Sequence, residues 1–146
     1  MGWEGNRKNV KLWNESVEVV LNKDGTGRLN HNASVVFTRG HCHSLALALH
    51  KLTGWPIFGV SYPWDDGEPA HCVVYCPELD DYVDIDGPSV IERFPGVKIT
   101  GELTPLSIEL FETYFRPDQE LAVPFAKTVL NKLATRGVKI PSLAVC

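Results

Sequence analysis

Methionine occurs once and cysteine four times in 146 residues, and no apolar run approaches the roughly 18 residues that a membrane-crossing helix needs. Four cysteines (Cys42, Cys72, Cys76 and Cys146) are too few for the disulfide framework of a small secreted scaffold. The expectation is a reducing, cytoplasmic compartment with all four as thiols. Basic residues are short as well. Lysine and arginine number 14 against 18 aspartates and glutamates, a net charge of −4 with no basic run. That balance argues against a surface built to hold a nucleic-acid backbone. The opening Met1-Gly2-Trp3-Glu4 lacks the apolar stretch of a secretory signal. Asn6 stands where a myristoylation motif wants Ser or Thr, and Cys146 is the final residue rather than the fourth from the end. No membrane partner is expected.

What is present is the composition of an ordinary globule: 44% hydrophobic, 22% charged and 10% aromatic, with 12 glycines and 10 prolines. This excludes a disordered, collagen-like or coiled-coil chain. A chain of this length makes one domain, residues 1–146, with a core that needs no disulfide or metal. Residues 1–38 carry the weakest signals. Val17, Val19 and Leu21 suggest a strand, Asn22 to Gly27 a turn, and residues 33–38 a strand or an extended approach to the next element. Residues 42–53 are the clearest helix: Leu45, Ala46, Leu49 and Leu52 recur at helical spacing, and Gly54 with Pro56 ends it. A buried strand over 55–61, a loop over 62–69 and a hairpin of 71–76 with 82–86 follow. The last third predicts helices at about 105–115 and 118–135, the second stopped by Gly137. The helical C-terminal part spans about 103–137. Helix, antiparallel strands, then helices is an α+β order.

The chemistry concentrates at Arg39-Gly40-His41-Cys42-His43-Ser44. Cys42 opens the helix, where unsatisfied N–H groups and the dipole favour an anion such as a thiolate. Gly40 allows a tight turn and a close substrate. The plainer alternative is a small buried apolar residue, the commonest role of a free cysteine. A thiolate nucleophile needs a base. His71 opens a strand, a position that can face a cleft. Asp84 and Asp86 share one face of the next strand, so either can orient the imidazole. Pairing Tyr75 with Tyr82 puts His71 opposite Asp86; reaching Asp84 needs a shorter loop or a bulge. By the same alternation, Cys72 and Cys76 point away from the His71 face. Trp55, Tyr62 and Trp64 either line a groove or pack. Arg39 and His43 are expected to be dispensable.

A cysteine at a helix start, a histidine opening a later strand and an aspartate closing the next resemble the papain-like and transglutaminase-like superfamily. Gly40-His41-Cys42-His43, Thr53-Gly54-Trp55-Pro56 and Asp84-Ile85-Asp86-Gly87 also resemble small bacterial and phage proteins with a Gly-x-Cys-His helix and an Asp-x-x-Gly strand end. The second likeness favours Asp84. The aromatic-to-aspartate spacing of Tyr82 and Asp86, similar to the transglutaminase pattern, favours Asp86. The resemblance covers about residues 37–90. It implies a catalytic helix packed on a small antiparallel sheet with C-terminal helices. It also implies acyl transfer from a protein or peptide amide, with Cys42 as nucleophile, His71 as proton shuttle and Asp84 or Asp86 as orienter. Water as acceptor makes a peptidase, amidase or deamidase, and an amine makes a transglutaminase. No match to the glutamine of the papain oxyanion hole is visible.

Two other readings compete. His41, Cys42, His43, His71, Cys72 and Cys76 are all possible zinc ligands. Yet residues four apart on a strand lie about 13 Å apart, and helical neighbours point about 100° apart, so no pair has good ligand geometry. The zinc-deaminase signature is missing, and no cofactor is expected. The third reading is a non-catalytic interaction module on this fold with a vestigial triad, since fold alone does not fix function.

Overall fold

The computed structural model describes residues 6–12, 15–61, 71–93, 96–102, 108–109, 112–113 and 118–140. Among the described residues, six strands and four helices of four residues or more are mixed in α+β fashion. Strands β1 (Asn6–Leu12) and β2 (Glu15–Leu21) form an antiparallel hairpin. Its inward residues Val10, Leu12 and Val19 join the core. The segment expected over 33–38 as a strand or an extended approach is instead helix α1 (His31–Arg39). Asn30 caps it by accepting from the Ala33 N–H at 2.9 Å, and Ala33, Val36 and Phe37 bury one side at i, i+3, i+4 spacing. The β-branched residues favour a strand locally; the cap and the buried stripe outweigh them.

Helix α2 (Cys42–Thr53) follows after a two-residue break. It is buried on nearly every side from Ser44 to Leu49 and forms the centre of the molecule. Gly54 ends it at φ +79°, its N–H donating to the His50 carbonyl at 2.7 Å. The four-stranded antiparallel sheet beside it runs in the order β5 (Asp81–Val83), β4 (His71–Cys76), β3 (Ile57–Ser61), β6 (Lys98–Glu102). Alternation splits its residues. Ile57, Cys72, Val74, Cys76 and Val83 enter the main core under α2. Phe58, Val60, Val73 and Tyr82 cover the other face with Val90 of the short helix α3 (Val90–Arg93).

Helix α4 (Gln119–Thr135) packs along α2 through Leu121, Phe125, Val129, Leu130 and Leu133. Its first turn is tied to the N-terminal end of α2. The Asp118 N–H donates to Ser44 Oγ, and Gln119 Nε2 donates to the Ser44 carbonyl, each at 2.9 Å. The loop expected over 62–69 and most of the helix expected over 105–115 lie outside the described residues. Among those residues, no helix is long and apolar enough to cross a membrane.

Candidate active site

Cys42 is the first residue of α2. The residue before it, His41, makes no side-chain cap, so no side chain of that residue covers the first-turn N–H groups. Gly40 sits at φ −156°, outside the left-handed region that favours glycine. The tight turn expected there is therefore not what requires glycine. A side chain at Gly40 would come within 2.6 Å of Leu12 Cδ2, so its role is close packing of the hairpin on the helix start.

Cys72, His43 and His71 all bear on the ionisation of the Cys42 thiol. Cys72 lowers its pKa most; burial opposes, and His43 and His71 add to the lowering, which leaves the group well below the usual thiol value. Cys72 moves the other way: its hydrogen bond to Cys42 and its burial push its pKa far up. Cys72 and Cys76 do lie on the sheet face under α2, as alternation requires. His43, expected to be dispensable, also helps to lower the Cys42 pKa.

His71 lies on the opposite sheet face, paired with Val60 of β3, and is 6% exposed. Its Nε2 is 2.9 Å from Asp84 Oδ2. Burial disfavours the imidazolium, but the bonds to Asp84 and Cys42 prevail and raise its pKa to about 9. Asp84 is 2% exposed and accepts from three further donors: Arg93 Nη2 at 2.7 Å and the Asp86 N–H at 2.9 Å on Oδ1, and Arg93 Nη1 at 3.4 Å on Oδ2. Burial would raise the Asp84 pKa; His71 and Arg93 more than compensate and hold the carboxyl below its ordinary value.

The register explains which aspartate reaches the ring. Tyr75 pairs with Tyr82, as the hairpin arithmetic anticipates. The ladder then stops at Val83 instead of running on to 86. Asp84 and Gly87 exchange two backbone hydrogen bonds, of 3.0 and 3.1 Å, around a tight turn that Gly87 permits at φ +94°. Asp84 thus stays on the His71 face, diagonal to it across the pair, within reach of a long side chain. Asp86, which the unbroken ladder would put opposite His71, instead accepts from Ser34 Oγ at 2.9 Å, and its side chain is 37% exposed. It lines a separate cavity of about 420 Å³ with His31 and Lys132.

Sequence reasoning missed Arg93. Its guanidinium donates to the carbonyls of Gly87 at 2.8 Å and Pro88 at 3.1 Å as well as to Asp84, so it ties the turn to the carboxylate. Four helical residues after Gly87-Pro88 carry no motif; the clamp exists only once the turn has formed. Trp55, one of the candidate groove rings, is 5% exposed and belongs to the core; Tyr62 and Trp64 lie outside the described residues. A groove of about 440 Å³ opens beside His41, walled by Lys8 to Lys11 of β1 and by Asp118 and Glu120 at the start of α4. Among the described residues, no three His, Cys, Asp or Glu side chains are grouped to hold a metal. Compared with known proteins, the chain matches no family model, no curated protein and no solved structure.

Proposed function

We propose that the protein is a thiol-dependent acyl-transfer enzyme that acts on a protein or peptide amide through Cys42, His71 and Asp84, in a papain-like or transglutaminase-like arrangement. One observation carries this: a buried carboxylate holds one nitrogen of a buried imidazole at 2.9 Å, and the same imidazole interacts with a cysteine at a helix start. Asp84 fixes the ring and stabilises its charged form; Nδ1 then exchanges the proton with the sulfur. The Cys42 thiolate attacks the amide carbonyl, and the new S–C bond pushes the carbonyl electrons onto oxygen. The Cys42 N–H, at the positive end of α2, binds that oxyanion. The imidazolium gives its proton to the leaving nitrogen as the C–N bond breaks. Water or an amine, deprotonated by His71, then releases the acyl group and restores the thiolate.

The test is to incubate the reduced protein with peptides bearing glutamine and asparagine, with hydroxylamine as a competing acceptor. Hydroxamate products, with a thioester adduct mapped to Cys42, are expected. Both are lost in Cys42→Ala and His71→Ala. Product formation that survives Cys42→Ala contradicts the proposal.

A further inference from the structure

Arg93 touches the triad but takes no step in the acyl transfer described above. It ends the short helix α3 and is gripped by its own turn. Its Nη2 donates to the Gly87 carbonyl at 2.8 Å and to the Pro88 carbonyl at 3.1 Å, and its Nε donates to the Pro88 carbonyl at 3.3 Å. So anchored, the guanidinium meets the Asp84 carboxylate with both arms, Nη2 on Oδ1 at 2.7 Å and Nη1 on Oδ2 at 3.4 Å. Oδ1 also accepts from the Asp86 N–H. Oδ1 is therefore satisfied without His71, which leaves Oδ2 turned to the ring at 2.9 Å. Among the described residues, the ionisable groups facing Asp84 are His71 from β4 and Arg93 from α3, with the Asp86 carboxylate 3.6 Å from Arg93 Nη1. The two cations differ in kind. A guanidinium keeps its charge throughout, whereas an imidazole gains and loses it as it moves protons. A carboxylate only 2% exposed, left beside an uncharged ring with no other cation, would take up a proton.

We infer that Arg93 is a positioning residue that keeps Asp84 ionised and aimed at His71 while the ring is neutral, and so serves the second half of the reaction, release of the acyl group. The release step rests on the acyl-transfer reading; the holding of the charge rests on the distances alone. In the resting protein the ring is itself charged and can hold Asp84. Once the acyl group is on Cys42, that proton has left with the amine and Arg93 is the cation that remains on the carboxylate. Water then gives a proton to His71 Nδ1 as its oxygen bonds to the acyl carbon. The S–C bond breaks and its electron pair returns to the Cys42 sulfur. Positive charge reappears on the ring, and an ionised Asp84 across Nε2 stabilises it as it forms. A protonated Asp84 would not, and the fixed charge of Arg93 keeps the carboxyl out of that form.

Two measurements on the full chain test this. The first is carbon NMR of carboxyl-labelled aspartates over a pH series, with the Asp84 signal assigned by its loss in Asp84→Asn. His71→Gln, with His71→Asn as a second replacement, stands in for the uncharged ring, and amide spectra that match the parent away from the site establish the fold. The Asp84 midpoint is expected to stay at or below the ordinary carboxylate value, and to rise by roughly one unit or more when Arg93→Gln is added. A midpoint above that value with Arg93 in place, or one that Arg93→Gln leaves unmoved, overturns the inference. The second measurement follows p-nitrophenyl acetate, whose leaving group needs no proton. The initial burst of nitrophenolate is expected to be kept in Arg93→Gln while steady turnover slows roughly tenfold or more and acetyl-Cys42 accumulates in the mass spectrum. kcat and KM then fall together, and Arg93→Lys, which keeps a cation without the fork, lies between the two. Equal slowing of burst and turnover, the mark of a merely loosened fold, overturns the inference. If the parent never acetylates Cys42 yet Asp84 stays ionised in His71→Gln, the acyl-transfer reading fails and the charge-holding role stands. If Cys42 is acetylated but Asp84 takes up a proton in that variant, the inference fails and the acyl-transfer reading stands.

Discussion

The Asp84 carboxylate is the most constrained group in the site. It is 2% exposed and accepts from His71, from Arg93 and from a backbone N–H. Removing one partner from such a buried ionic group leaves the rest uncompensated, at a cost of roughly 3–5 kcal/mol. Asp84→Ala is thus expected to lower the unfolding free energy by about that amount and to abolish acyl transfer. Asp86→Ala, at a part-exposed position bonded to Ser34, is expected to cost no more than about 1 kcal/mol and to keep activity. Denaturant melts with product assays check both, and equal losses from the two changes contradict the assignment. The sign of the pH dependence follows from the lowered Asp84 pKa. Its stabilisation is full above the ordinary carboxylate value and is lost as the pH falls through the lowered one. Acid titration of the unfolding midpoint should therefore be flatter for Asp84→Asn than for the parent. A parallel acid limb in the two proteins argues against an ionised Asp84 in the fold.

The elements differ in how openly the chain announces them. Helix α2 is legible because leucines and alanines recur at its period and Gly54 closes it in the left-handed conformation. Any other residue there meets only the backbone penalty, since nothing lies within 4 Å of the missing side chain. Gly54→Ala should then lower stability by about 1 kcal/mol. An unchanged thermal midpoint would falsify that account of the helix end. Helix α1 was hidden because Val35, Val36 and Thr38 argue locally for a strand, while the features that decide for helix are the Asn30 cap and burial against the core. Strand β1 was hidden for a related reason. Among the polar residues of Asn6–Leu12 only Val10 and Leu12 are apolar, and its pairing with β2 is a tertiary fact. The choice between Asp84 and Asp86 depended on where β5 stops. That is set by the turn at Gly87 and its tie to Arg93, which strand arithmetic does not contain.

At the scale of the whole molecule, the site is a product of topology. Helix α2 supplies the thiol from the centre of the core, β4 supplies Cys72 on one face and His71 on the other, and the turn after β5 supplies Asp84. Positions 42 and 71 were legible in the sequence as a helix start and a strand start, and position 84 only as one of two candidates beside 86. The contributions of Cys72, His43 and Arg93 were not, because each depends on packing between elements distant in the chain. The most direct test is the rate of Cys42 alkylation by iodoacetamide as a function of pH, followed by peptide mass spectrometry in the parent and in His71→Ala. The account predicts that parental Cys42 titrates well below the ordinary thiol value of 9.0, and that its midpoint moves upward without His71. A parental Cys42 that titrates like a free cysteine, with the same profile when His71 is gone, contradicts it.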